Sequence, residues 1–230
     1  MAIIEPKRAD ISSPQKNKRY SRSLRFWHWA NTLIICGSLL TVLVNSTLLD
    51  RSQATFLKAE LQQSGTAITD QQARGFTHSM EDQVWGIHIY FGYALAALLL
   101  FRIVSEIFST KKSKLFVKLK SAYTDYFIIK KERELAMHEL VVKSLYLFFY
   151  LLLLIMVTTG LLLAFEDSTG ISTDVNHSVK EIHGFCMYLI LGFITVHVVG
   201  VFLAERKDSK GIISDMVNGG EDNEQSLCIF

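Results

Sequence analysis

Long apolar runs alternate with charged connections along the chain. Four runs reach the length of about 20 residues that a helix needs to cross a hydrocarbon core: roughly 26–46, 84–108, 141–165 and 182–204. Lipid offers no hydrogen bonds to a backbone, so segments of this length must be helical. The pattern predicts an all-α integral membrane protein, a four-helix bundle over residues 26–204. A basic arm (1–25) precedes it and a tail (205–230) follows. The first run is too long for the core of a signal peptide and has no small-residue cleavage site, so it reads as a retained helix.

The connections differ in charge. The arm carries Lys7, Arg8, Lys16, Lys18, Arg19, Arg22 and Arg25, together with both prolines of the chain. The first connection (47–83) mixes signs and has a stretch, 53–63, compatible with a helix. The second (109–140) is strongly basic, with Phe116, Tyr123, Tyr126 and Phe127 interleaved among lysines. That pattern suits an amphipathic segment lying against anionic lipid. The third (166–180) is short and holds Glu166, Asp167 and Asp174 against Lys180. In the tail, Ile212, Ile213, Met216 and Val217 recur at helical spacing. With four spans, the three basic segments share one side. The positive-inside rule therefore places both termini in the cytoplasm.

Histidines stand near the span ends. His28 follows Trp27 and precedes Trp29, and His88 lies three residues after Trp85; tryptophan marks membrane interfaces. His183 and His197 lie fourteen residues apart in the last span. At 100° per residue that spacing falls about 40° short of four turns, so both rings leave one face, about 21 Å apart in rise. Threaded onto the topology, His88 meets His183 at the outer level, and His28 meets His197 at the inner level. Ionisable groups inside a membrane are costly and mark function, and facing helices are where bundles clamp cofactors. The two pairs predict axial ligation of two haems, with metal ligands His28, His88, His183 and His197. The blander reading has each imidazole bonding a neighbouring carbonyl. Gly184, Gly192 and Gly200 would let a flat group lie close to the last span. His138 is a minor alternative ligand, and His78 reads as solvated.

Arg102 lies fourteen residues after His88, late in an apolar run, where a guanidinium needs an anionic partner or an escape to the surface. A propionate of the inner haem is the expected partner, which Arg binds bidentately. Composition adds little to this. The 230 residues are 50% hydrophobic, with mean hydropathy +0.25, and the net charge of +2 gives no reason to expect nucleic acid. Cys36 and Cys186 fall inside spans as small hydrophobes. No C-x-x-C-H occurs, so the expected haem is b-type and non-covalent.

Arg25-Phe26-Trp27-His28-Trp29, Ile87-His88 with Gly92 running on to Arg102-Ile103, and His183-Gly184 through His197 resemble the bacterial b-type cytochromes of the cytochrome b561 and nickel–iron hydrogenase cytochrome b family. Thr158-Thr159-Gly160 is similar too, and Ile213-Ser214-Asp215-Met216-Val217-Asn218-Gly219 looks like the hydrogenase-associated members. The resemblance implies two haems b and electron transport between an extracytoplasmic redox subunit and respiratory-chain quinone. It also brings Arg25 and Gly92, beside Arg102 and Gly192, into the cofactor-binding set. Two imidazoles per iron leave no open position, which suits an electron-transfer subunit of an oxidoreductase better than an enzyme in its own right. The runner-up is a stand-alone quinone-linked oxidoreductase, for example of superoxide. A transporter or membrane anchor is disfavoured, because the spans hold almost no acids.

Overall fold

The computed structural model describes residues 20, 22–49, 51–108, 120–121, 123–124, 126–127, 133–170, 172–207 and 211–219. The N-terminal arm up to residue 19, the heart of the basic second connection and the acidic end of the tail lie outside these, as does the side chain of His138. The described residues form helices α1 (Arg22–Thr47), α2 (Arg51–Gln63), α3 (Asp70–Phe108), α4 (Arg133–Ala164), α5 (Glu166–Thr169), α6 (Thr173–Lys207) and α7 (Ile212–Asn218). No strand occurs among them. The protein is all-α, and four of its helices are long and apolar enough to cross a membrane: Arg22–Thr47, Asp70–Phe108, Leu140–Ala164 and Thr173–Arg206.

Three of these helices start well before the apolar runs do. The second begins at Asp70 rather than near 84, the third at Arg133 rather than near 141, and the fourth at Thr173 rather than near 182. Hydropathy marks the part of a helix that can sit in lipid, and says nothing of where the helix itself stops. The extension of α3 has its own start signal. Thr69 Oγ1 accepts from the Gln72 amide (3.2 Å) while Gln72 Oε1 accepts from the Thr69 amide (2.9 Å), a reciprocal capping box. Asp70 sits in the first turn, where a negative charge complements the helix dipole, and bonds Lys58 of α2 at 2.7 Å. Ala73 and Thr77 repeat at helical spacing and, like Ala54 of α2, are buried. The polar extension is thus held by packing of α2 on α3.

The chain divides into two compact units, residues 30–190 and residues 1–29 with 191–230. The first has a core of Ile35, Leu95, Leu99, Leu152, Leu153, Cys186 and Ile190, with Leu153 wholly enclosed. Large apolar side chains such as Leu33, Tyr90, Leu100 and Phe108 are exposed, as helices facing lipid require. In this unit a Cβ added at Gly37 would come within 2.5 Å of the Phe91 ring, so α1 and α3 approach closely.

In the other unit, α7 forms as the spacing of its apolar residues predicts. Glu205 of α6 accepts from the Gly211 and Ile213 amides at 2.8 and 3.4 Å, satisfying donors at the start of α7 that the helix cannot pair itself. At its other end Gly219 takes φ +95° and donates to Asp215 O at 2.8 Å.

Removing the cap hydroxyl tests whether the capping box starts α3 outside the apolar run. Thr69→Ala should cost about 0.5–2 kcal/mol of local stability. Hydrogen exchange should then speed up over residues 70–78 and stay unchanged over 88–104.

Candidate functional site

Within the 30–190 unit, α3 presents His88 and α6 presents His183, their ring centroids 6.4 Å apart and their planes at 78°. Each ring is held through Nδ1 by a threonine. Thr41 Oγ1 lies 2.9 Å from His88 Nδ1 and donates its only proton to Ser38 O at 2.6 Å. It must therefore accept from the Nδ1–H of His88. Thr159 repeats the arrangement on α4: it donates to Ile155 O at 2.7 Å and stands 2.9 Å from His183 Nδ1. Both imidazoles are thereby fixed as the tautomer whose Nε2 keeps its lone pair. Ser38 Oγ adds a longer contact to His88 Nδ1 at 3.4 Å. Trp85 meets the His88 ring edge-on, with centroids 5.4 Å apart. Gly160 makes room for His183, since a Cβ there would lie 3.2 Å from its Cε1.

The other unit contains the second pair. His28 of α1 and His197 of α6 have ring centroids 6.2 Å apart at 53°. Trp29 stands edge-on to His28 at 5.3 Å, and Phe193, one turn before His197, stacks on that ring at 5.9 Å with planes 6° apart. Both imidazoles are half-buried. Arg25 Nη1 donates to Val217 O at 2.9 Å, and Trp29 Nε1 to Met216 O at 3.1 Å. The cation thus sits at the carbonyl end of α7, where the helix dipole favours it. A Cβ at Gly219 would meet the Arg25 guanidinium at 2.9 Å, which accounts for the glycine that closes the tail motif.

The remaining expected residues fall as follows. Arg102 does find an anion, but within its own helix: Nη2 lies 3.4 Å from Glu106 Oε2, and Nε donates to Tyr150 OH at 2.9 Å. A propionate is not required to explain its position. A Cβ built at Gly92, Gly184, Gly192 or Gly200 would meet nothing within 4 Å, so the helix surface there is open to a flat group. His78 is exposed beside Glu81 and Asp82, as expected of a solvated residue. His177 is likewise exposed, 3.6 Å from Glu181.

Sequence reasoning missed the polar face of α1. Asn31, Thr41 and Asn45 are buried, and Ser38 is partly so. At 100° per residue the four fall within an arc of about 80°. Polar residues sharing one face of an apolar helix were a visible signal, and it was eclipsed by the histidines. Thr159 lies within the Thr158-Thr159-Gly160 tripeptide, which by itself gives no hint of its histidine partner.

The donor set can be tested against a haem. Among the described residues no group of three or more His, Cys, Asp or Glu side chains converges. A bare zinc ion takes three or four protein ligands, so a pair of imidazoles suits a metal whose other positions come from a macrocycle. Taking a metal–imidazole bond of about 2.0–2.1 Å, the value for zinc, two opposed imidazoles would have centroids roughly 6.3–6.5 Å apart. The observed 6.2 and 6.4 Å lie close to that separation. The two pairs therefore fit bis-imidazole ligation of a b-type haem.

No curated protein and no solved structure matches the chain. A family model, described as prokaryotic cytochrome b561, matches residues 19–219. That match covers all four apolar helices, both histidine pairs and the α7 motif, so the chain belongs to the prokaryotic cytochrome b561 family of membrane-bound, electron-transferring b-type cytochromes.

Proposed function

We propose that the protein is a dihaem b cytochrome that carries electrons between an extracytoplasmic redox subunit, such as a hydrogenase, and the membrane quinone pool. The observation that carries this reading is the pairing of four histidines, two and two, at separations of 6.2 and 6.4 Å. His88 and His183 would hold one haem, and His28 and His197 the other. A bound haem supplies a one-electron couple at an iron with no free position.

The chain's own side chains then have distinct tasks. Thr41 and Thr159 hold Nδ1 protons and so turn Nε2 towards a metal, as outer-shell partners of ligating histidines do. Gly92 and Gly192 leave space beside their helices. Arg102 and Arg25 enter the proposal in a reduced role, because each already has an acceptor within the protein. The Lys- and Arg-rich segments favour cytoplasmic termini, with the α2 and α3 extension on the opposite side, where a periplasmic partner would dock. In domain terms the proposal keeps the arm (1–25), the haem-binding bundle (26–204) and the cytoplasmic tail (205–230).

Pyridine haemochrome analysis of detergent-purified protein should give two haems b per polypeptide. His183→Ala should lose one of them, and His138→Ala should lose neither. A ratio near zero in the unaltered protein, or a His88→Ala variant that keeps both haems, contradicts the proposal.

Thr41→Val and Thr159→Val replace the hydroxyl by a methyl of the same shape. Each should weaken haem retention at one site about 10–100-fold and raise that haem's midpoint potential, because an imidazole without its Nδ1 hydrogen bond is a poorer donor to oxidised iron. Unchanged retention and potential in both variants would show that the two contacts only pack.

A further inference from the structure

Asn45 is only 7% exposed, and neither its Nδ2 nor its Oδ1 has a hydrogen-bond partner among the described residues. An enclosed amide left in that state is costly, and buried polar groups of native proteins are paired. A second side chain in the same unit shows what this face of α1 addresses. Thr41 and Ser38 both reach His88 Nδ1, at 2.9 and 3.4 Å. By helical geometry Asn45 projects at an angle between those two, one turn closer to the end of α1. That end is near, since the helix stops at Thr47.

The amide therefore sits on the histidine-facing side of α1, between the imidazole level and the aqueous end of the helix. A b-type haem carries two carboxylates, which are ionised and out of place in hydrocarbon. Any such group at the His88/His183 site needs hydrogen-bond donors on the side nearer water. An amide NH2 offers two donors without adding a charge that would itself need burial. Charge-assisted hydrogen bonds of this kind are also the stronger ones.

We propose that Asn45 is a carboxylate-binding residue, donating through Nδ2 to a propionate of the haem held by His88 and His183. The proposal rests on the dihaem reading. It also supplies an anion-binding donor for that cofactor that is distinct from Arg102, whose charge is met by Glu106.

The test uses the full-length protein in detergent, with Asn45→Leu, which keeps the branching but removes both polar atoms and is larger, and Asn45→Asp, which keeps the volume. Haem content is measured first, then the propionate bending mode in the low-frequency resonance Raman spectrum and the midpoint potentials of both haems. The expected result for Asn45→Leu is two haems retained, a shifted propionate mode, and a lower potential for one haem only, because its carboxylate charge is less compensated. Asn45→Asp should lower the same potential further by placing a second negative charge there. Variants that keep the wild-type Raman mode and both potentials would overturn the assignment and leave the amide to a buried water or to packing. Unaltered protein without haem would instead overturn the dihaem reading itself, so the two failures are distinguishable.

Discussion

A polar side chain in an apolar membrane helix must meet a partner, because the surrounding lipid offers none. That requirement organises what the spans carry. Thr41 and Thr159 give their protons to helix carbonyls one turn back, which leaves their oxygens to accept from His88 and His183. The two imidazoles are then fixed in ring orientation and tautomer. The one atom on each ring whose lone pair is left over is the one a metal would take. Arg102 obeys the same rule through Tyr150 and Glu106.

The unit built from residues 1–29 and 191–230 meets the constraint differently. Its histidines are flanked by aromatic rings, Trp29 edge-on to His28 and Phe193 stacked on His197. The groups around them are tied down by the tail. Arg25 and Trp29, three residues before and one after His28, both donate to carbonyls at the end of α7, while Glu205 of α6 bonds amides at its start. The short tail helix thus joins the first turns of α1 to the end of α6. The motif around Met216 and Gly219 has this structural task, whatever partner the protein serves.

The four spans were legible because about 20 apolar residues in a row leave few alternatives, and the histidine pairs because imidazole is rare in such runs. The helix starts at Asp70 and Thr173 were not legible from hydropathy, which responds to lipid contact and not to capping; the Thr69–Gln72 box was the signal for the first of them. The expected partner of Arg102 was anionic, as physics demands. Glu106, one turn away on the same helix, supplies such an anion. Thr41, Ser38 and Asn45 do not stand out in the sequence, because short polar side chains scarcely lower the hydropathy of a span. Their shared face becomes informative only once His88 is known to lie against it.

The central claim is that each imidazole pair shares one iron. Low-temperature electron paramagnetic resonance of the oxidised, full-length protein tests it most directly. The account predicts two low-spin ferric signals of equal spin count, together two per chain, with the more anisotropic one belonging to His88 and His183, whose planes are closer to perpendicular. A dominant high-spin ferric signal in intact protein, meaning iron with an open or weakly held axial position, would contradict it.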